Sequence, residues 1–414
     1  MAEKKKMALA WKILIGMALG IIVGLMFMGK EGFFTAATVT TWIRPFGTLF
    51  IRLLTFVVVP VVFFSLINGI LQLKDVNKLG AIGGKIIIFY VITSIIALTI
   101  GFIVSLSLKG FYPAIESLVR TETNIAKVDV TTTIIELFPG NIVAPFASNA
   151  MVPIIIICIA IGIALLSVGE KGKAFQDFIE SGNEIFMKIM LFIVNLSPFG
   201  VFALMAWATA TNGPQIFGRL AIVLGGAYLA YLIHLFVTYS VAVSVWGGMS
   251  PLKFFKNMWP AMIMAFSSAS SLASLPINIQ CAKNMGCRKH IVDFTLPLGA
   301  NINSDGTAIY QSLAAVFIAC CYGIDLSIGQ MLMIIFTATA ASFGIAGVPG
   351  AGMVMLSMVL VSAGIPVEGI ALIAGIDRLF DMGRTTLNVV GDVVGTVVVD
   401  NLELKKEARM GKAA

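Results

Sequence analysis

Charge is scarce in this chain of 414 residues: Asp, Glu, Lys and Arg together make up 12% of it, against 58% hydrophobic residues and a mean hydropathy of +0.98. That balance excludes an ordinary soluble domain and describes a chain that crosses a membrane many times. Histidine is rarer still: His234 and His290 are too few and too far apart to suggest a metal site, and His234 reads as a hydrogen-bonded structural residue within a span. The five cysteines (Cys158, Cys281, Cys287, Cys320, Cys321) lie in or beside apolar segments without metal-ligand spacing and read as reduced, inert thiols. The net charge of +7 does not imply nucleic-acid binding, because the Lys and Arg residues cluster at the ends of apolar runs, where they set orientation in a bilayer.

What the chain does have is long oily runs. Apolar segments at about residues 9 to 29, 42 to 72, 82 to 108, 149 to 168, 184 to 210 and 217 to 247 are each long enough to cross roughly 30 Å of hydrocarbon, giving six conventional spans. The basic start Met1-Ala-Glu-Lys-Lys-Lys6 leads into the first of these with no small-residue cleavage signature, so it reads as a cytoplasmic anchor rather than a signal peptide. Lys74, Lys78 and Lys85 follow the second span, Lys171 and Lys173 the fourth, and Lys253 and Lys256 the sixth. With the tail residues Lys405, Lys406, Arg409 and Lys412 they define one cytoplasmic side and place both termini inside. The stretch from about 110 to 148, with Pro113, Pro139 and Pro145, is expected outside.

After residue 250 the long runs give way to short ones broken by Gly, Pro, Ser and Asn. Ser267-Ser-Ala-Ser-Ser-Leu-Ala-Ser-Leu-Pro276 interrupts one apolar segment and Ser342-Phe-Gly-Ile-Ala-Gly-Val-Pro-Gly-Ala-Gly352 another, each with a Leu-Pro or Val-Pro step that favours a non-helical tip between two half-length helices. Both read as re-entrant hairpins. Each is followed by a polar-interrupted helix, carrying Asn301-Ile-Asn-Ser-Asp-Gly-Thr307 and Asp381-Met-Gly-Arg-Thr-Thr-Leu-Asn388 respectively, so the two units form an internal repeat of the kind that brackets a midplane transport site. Irregular backbone at that depth must line a cavity or touch protein, where free amides hold anions and free carbonyls cations.

Asp377, Asp381, Arg384, Asn388 and Asp392 fall at offsets of 0, 4, 7, 11 and 15. At about 100° per residue they share a sector of roughly 80°. A charge at mid-bilayer costs roughly 2.5 to 3.5 kcal/mol, so such a stripe is expected to face a protein-lined site. Arg384 suits a carboxylate, since its planar fork can hold both oxygens, and Asp381 suits an ammonium; their alternative role is a salt bridge with each other or with Asp377. Asp305 and Asp392 lack a dedicated cationic partner, which points to a small bound cation or else to protonated carboxyls. Tyr90, Thr93 and Ser94 share a face of the third span. Arg378 lies about 100° off the stripe and is expected to anchor the helix elsewhere.

These motifs resemble the dicarboxylate/amino acid:cation symporters. The resemblance is carried by the serine-rich tip ending in Leu275-Pro276, by Leu296-Pro-Leu-Gly299, Asn303-Ser-Asp-Gly-Thr307 and Ala346-Gly-Val-Pro-Gly-Ala-Gly352, and by Asp381-Met-Gly-Arg-Thr385 with Asn388 and Gly391-Asp392. It implies an all-α membrane protein with eight transmembrane helices, two re-entrant hairpins and inverted repeats, working as a homotrimer by an elevator movement in the plasma membrane. The implied scaffold covers residues 1–80 (helices 1 and 2) and 111–215 (helices 4 and 5 with the external loop). The implied transport domain covers 81–110 (helix 3) and 216–414 (helix 6, both hairpins, helices 7 and 8). Carried over by position, the substrate contacts fall on Ser271, Thr307, Val348, Gly352, Asp381, Arg384, Thr385 and Asn388. One sodium site falls on Gly299, Asn303, Asn388 and Asp392, a second on Tyr90, Thr93, Ser94, Asn303 and Asp305, and a third on the chain around Asn301, Ser342, Phe343 and Ile345.

The resemblance thus implies import of aspartate or glutamate coupled to sodium, with a proton-coupled glutamate or dicarboxylate symporter as the alternative. Three departures from the family pattern bear on that alternative. Ser304 stands where the family usually has Met, Leu272 replaces a serine, and Ala269 and Met382 stand where archaeal and animal relatives respectively carry an extra Arg. A passive anion channel would also explain internal polar residues. An intramembrane hydrolase would need a base near its serine, and no His or Lys lies close in sequence to supply one.

Overall fold

The computed structural model describes residues 9–29, 34–72, 81–112, 138–213, 215–342 and 351–410. The described residues are helical, with one isolated β-bridge (Gly29 to Thr35) and no β-strand. In chain order the helices are α1 (Leu9–Met26), α2 (Ala36–Trp42), α3 (Arg44–Gln72), α4 (Ala81–Ser107), α5 (Ala144–Ser148), α6 (Met151–Val168), α7 (Lys173–Asn195), α8 (Ser197–Asn212), α9 (Gln215–Ile233) and α10 (Tyr239–Val245). They continue with α11 (Pro251–Ser268), α12 (Ser271–Asn284), α13 (Lys289–Ile302), α14 (Asp305–Cys321), α15 (Ile328–Ser342), α16 (Ala351–Ser362), α17 (Ile370–Ile373) and α18 (Asp377–Met410). Among the described residues four stretches are long and apolar enough to cross a membrane: Arg44–Leu71, Ile82–Ser107, Met151–Asn195 and Gly218–Val245. Large apolar side chains such as Phe46, Phe56, Ile88, Ile103 and Phe192 stand exposed along them, as a lipid-facing surface requires.

The expected span over 184 to 210 is two helices. α7 ends at Asn195, Leu196 caps both helices, and α8 begins at Ser197-Pro198, where the proline is tolerated in the first turn because its missing N–H would be unpaired there in any case. α8 then packs along α1. Gly16, Gly20 and Gly24 line that contact at four-residue spacing, and an added Cβ on Gly24 would come 2.5 Å from the Cβ of Thr209, so the glycines permit the close approach of the two backbones.

The first expected interruption is present, but not at its proline. α11 stops at Ala269, which takes a left-handed conformation (φ 49°), and α12 restarts with Ser270 as N-cap, its hydroxyl accepting from the Ala273 N–H at 3.3 Å. Pro276 lies inside α12, so a local cap and not the imino ring sets the tip. α15 and α16 form the second helix pair; its tip, residues 343–350 with Phe343, Ile345 and Val348, lies outside the described residues.

The two polar-interrupted helices also part company. Between α13 and α14 the chain opens, with Asn303 extended (φ −78°, ψ 119°), and the freed Gly306 N–H donates to the Asn388 side chain at 2.7 Å. α18 runs unbroken through Asp381 to Asn388, because its polar side chains pair along the helix surface without releasing a backbone bond. α14 is buried along nearly its whole length, with α4, α9 and α18 packed around it.

Candidate substrate and cation site

α18 brings the ionic stripe to the tip of the first helix pair. Arg384, 3% exposed, donates from Nε to Asp381 Oδ1 at 2.9 Å and from Nη1 to Asp377 Oδ1 at 3.1 Å, and its guanidinium carbon lies 4.9 Å from the centroid of the Tyr310 ring. Thr385 adds a hydroxyl bond to Asp381 Oδ1 at 3.3 Å. The salt bridge that the sequence leaves as an alternative for Arg384 is therefore the arrangement present. It gives the buried carboxylates and guanidinium hydrogen-bond partners in one another, which offsets part of the cost of burying them.

Arg378 does not anchor the helix elsewhere. Its Nη1 donates to Asp381 Oδ2 at 3.3 Å and its Nη2 to the Ser268 carbonyl at 3.1 Å, so a second guanidinium sits between the stripe and the tip of the first helix pair. The readable signal is the three-residue spacing from Asp381, which outweighs the angular offset because an arginine side chain is long. Ser271, the first residue of α12, is buried beside this tip. From the other pair, Gly352 reaches the same place: an added Cβ there would lie 2.6 Å from Arg384 Nη2.

Asn388 joins this group to a second one deeper along α18. Its Oδ1 accepts from Gly306, its Nδ2 lies 3.4 Å from the Thr307 hydroxyl, and its carbonyl accepts from Asn303 Nδ2 at 2.9 Å. Asn303 Nδ2 also donates to Asp392 Oδ1 at 3.0 Å. A Cβ added to Gly299 would lie 2.5 Å from the Tyr90 hydroxyl and 2.9 Å from Asp392 Oδ1, so these three residues converge. Among the described residues, Asp392 Oδ2, Asn303 Oδ1 and the Tyr90 hydroxyl are buried with no hydrogen-bond partner. Buried oxygen acceptors left over on a carboxylate, an amide and a phenol form a hard donor set that suits a small cation such as sodium.

Asp305, fully buried, accepts from the Ser94 hydroxyl at 2.8 Å on Oδ1; on Oδ2 it meets the Tyr239 hydroxyl at 2.9 Å and His234 Nε2 at 3.2 Å. The sequence reading misses Tyr239 and gives His234 no part here. The two meet Asp305 together because residues 234–238 form a π-helical turn, in which the Tyr239 N–H bonds back to the His234 carbonyl, bringing the rings to 4.7 Å. No periodicity of side chains announces such a turn. Thr93, Asn301 and Ser342 bond to the backbone of their own helices, at Tyr90, Pro297 and Thr339 respectively. No group of three or more His, Cys, Asp or Glu side chains suited to a metal occurs among the described residues.

A helical chain with apolar outer faces and a buried ionic helix, packed on the first helix pair and touched by Gly352 of the second, has the build of a membrane carrier. The sequence model of the sodium:dicarboxylate symporter family matches residues 9–402, and the chain belongs to that family, one of transporters and not of enzymes. It is 34% identical over 417 residues to the proton/sodium-glutamate symport protein of Geobacillus stearothermophilus, covering 99% of this chain and 97% of that protein. It is 34% identical over 423 residues to the proton/glutamate-aspartate symporter of Escherichia coli K12, covering 99% and 96%. It is 31% identical over 402 residues to a C4-dicarboxylate transport protein of Bacillus subtilis 168, covering 95% and 93%.

Proposed function

We propose that this chain is a secondary active symporter that imports acidic amino acids, aspartate or glutamate, coupled to sodium ions. The observation that carries the reading is the Asp381–Arg384 pair at the tip of the first helix pair. An acidic amino acid bears an ammonium and two carboxylates, so it can exchange partners with this pair: Arg384 takes the side-chain carboxylate and Asp381 the ammonium, with Asn388 and Ser271 on the main carboxylate. Such an exchange replaces the Asp381–Arg384 pair by two pairs with the substrate, while the main carboxylate is held by neutral hydrogen-bond donors. A dicarboxylate has no group for Asp381.

Cations belong at the unpartnered oxygens of Asp392, Asn303 and Tyr90, and beside Asp305 with Ser94 and Thr93. A third site would involve Asn301, Ser342, Phe343 and Ile345. Each net positive charge moving inward gains roughly 2.3 kcal/mol per 100 mV, which supplies the driving force. In this reading both hairpins re-enter the membrane from opposite sides, both termini face the cytoplasm, and three copies assemble around the scaffold formed by 1–80 and 111–215. The remaining residues, 81–110 and 216–414, travel as an elevator. Proton coupling is the second reading, favoured by the Escherichia coli relative named for proton symport and by Ser304 at the helix break.

The test is uptake of labelled aspartate, glutamate and succinate into proteoliposomes under imposed sodium or proton gradients. Concentrative, sodium-dependent uptake of the amino acids and not of succinate is expected. Uptake driven by protons alone selects the second reading, and equilibration without concentration makes the protein a channel.

A further inference from the structure

The two arginines of the second span, Arg44 and Arg52, stand in the half of α3 farthest from Lys74 and Lys78, so they do not serve the orientation rule that explains the other basic residues. They share a face, being eight residues apart, or about 80° around the helix. Both line a cavity of about 490 Å3 whose walls come from α3, from α8 through Trp207, and from the segment before and within α17 through Glu368 and Leu372. A second cavity of about 360 Å3 shares Arg44, Thr48 and Arg52 with it. The Arg44 guanidinium is fixed over the Trp207 ring, its carbon 4.4 Å from the centroid. Among the described residues neither arginine makes an ion pair, although a single carboxylate, exposed Glu368, lies in the same wall.

Of the exposed apolar side chains on α2 and α3, Phe56 (67% exposed) lines the first cavity and Leu49 (54%) the second, with Trp42 (70%) and Phe46 (66%) exposed on the same stretch of chain. An interfacial tryptophan followed by apolar rings running down the span marks a surface against lipid headgroups and chains. One guanidinium held over an indole and a second, exposed one on the same face, neither with a carboxylate bonded to it among the described residues, match the oxygens of a phosphate, and arginine forks suit that geometry. The lone carboxylate across the cavity suits an ammonium.

We propose that this cavity binds the headgroup of an ethanolamine phospholipid, with its phosphodiester on Arg44 and Arg52, its ammonium at Glu368, and its acyl chains along Leu49 and Phe56. The occupant is a lipid and not a soluble phosphate ester because the cavity opens among side chains that face hydrocarbon. The site is separate from the Asp381–Arg384 group and does not depend on what the protein transports. A headgroup held there would touch α3 and α8 on one side and the α17 segment on the other, the elements assigned above to scaffold and transport domain.

Native mass spectrometry of the full-length protein in detergent, titrated with phosphatidylethanolamine, phosphatidylglycerol and soluble glycerophosphoethanolamine, tests the assignment. The wild type should retain phosphatidylethanolamine in preference to phosphatidylglycerol. The Arg44→Gln/Arg52→Gln variant should bind both lipids roughly 30-fold more weakly, taking about a fivefold factor for each charge. Glu368→Gln should abolish the preference between the two lipids while retaining binding. Thr48→Trp, which fills the cavity and leaves every charge in place, should reduce binding even if loss of the Trp207 contact impairs folding of the double variant. A Lys253→Gln/Lys256→Gln control should change nothing. Equal retention of both lipids by the wild type and all variants would overturn the site, and glycerophosphoethanolamine binding as tightly as the lipid would overturn its lipid nature.

Discussion

Helix α18 carries two ionic stretches that differ in where their partners come from. In the buried half, Asp377, Asp381 and Arg384 pair with one another along the same helix, with Arg378 reaching in from one turn away. Toward its C-terminal end, Asp400, Glu403 and Glu407 pair with other elements: Arg288 donates to Asp400 at 2.6 Å and to Glu407 at 2.8 Å, and Lys85 of α4 donates to Glu403 at 2.6 Å. Bonds from Asp400 and Glu407 push the Arg288 guanidinium pKa upward, so it stays charged throughout. Pairs within one helix hold nothing together that the helix does not already hold, and their groups are free to be taken over by a ligand. Pairs between helices fasten the loop before α13 and the start of α4 to the end of α18. The first arrangement suits recognition, the second stability.

Substituting one member of each stretch separates these roles. The largest effect is expected for Arg384→Ala. It leaves Asp377 and Asp381 buried without this cation, costing about 3 to 5 kcal/mol of stability. Uptake of labelled aspartate should fall more than about 100-fold, measured on protein shown by gel filtration to be folded. Normal aspartate uptake by this variant would end the assignment of the buried stretch to recognition. Gly352→Ala comes next. Its methyl would press on the Arg384 guanidinium, an overpacking that predicts roughly a tenfold rise in KM for aspartate with little change in melting temperature. A variant with unchanged KM would mean that α16 does not close on Arg384. Arg288→Ala is the smallest. Arg288 is 24% exposed and Glu407 55% exposed, so a loss of about 1 to 2 kcal/mol is expected, seen as a melting point lower by a few degrees with KM unchanged. The reverse result, normal melting with a raised KM, would break the division.

The stripe on α18 was legible because helical periodicity alone puts Asp377, Asp381, Arg384, Asn388 and Asp392 on one side. The opening at Asn303 was legible too, since Asn-Ile-Asn-Ser-Asp-Gly offers side chains that compete with the backbone for hydrogen bonds. The sequence misled where one local choice beat another: Ala269 and Ser270 end and restart the first helix pair upstream of Leu275-Pro276, and Pro198 divides a run that hydropathy alone joins. Least legible were contacts made by reach or by backbone irregularity. Arg378 bends back to Asp381 and Ser268 through its own length, and His234 and Tyr239 arrive at Asp305 through hydrogen bonds that no residue type encodes.

That wide turn at 234–238 also works as a phase adjuster. Tyr228 bonds the Leu379 carbonyl at 2.8 Å and Tyr231 packs on Gly383, while eight residues after Tyr231, Tyr239 meets Asp305. In an uninterrupted helix Tyr231 and Tyr239 would point about 80° apart, and the extra residue taken into the turn turns the chain back by about 100°, leaving them within about 20° of each other. One continuous rod is thereby clocked so that both its upper and lower tyrosines face the same neighbours. Shortened by a single residue there, it could keep one set of contacts only by turning the other away.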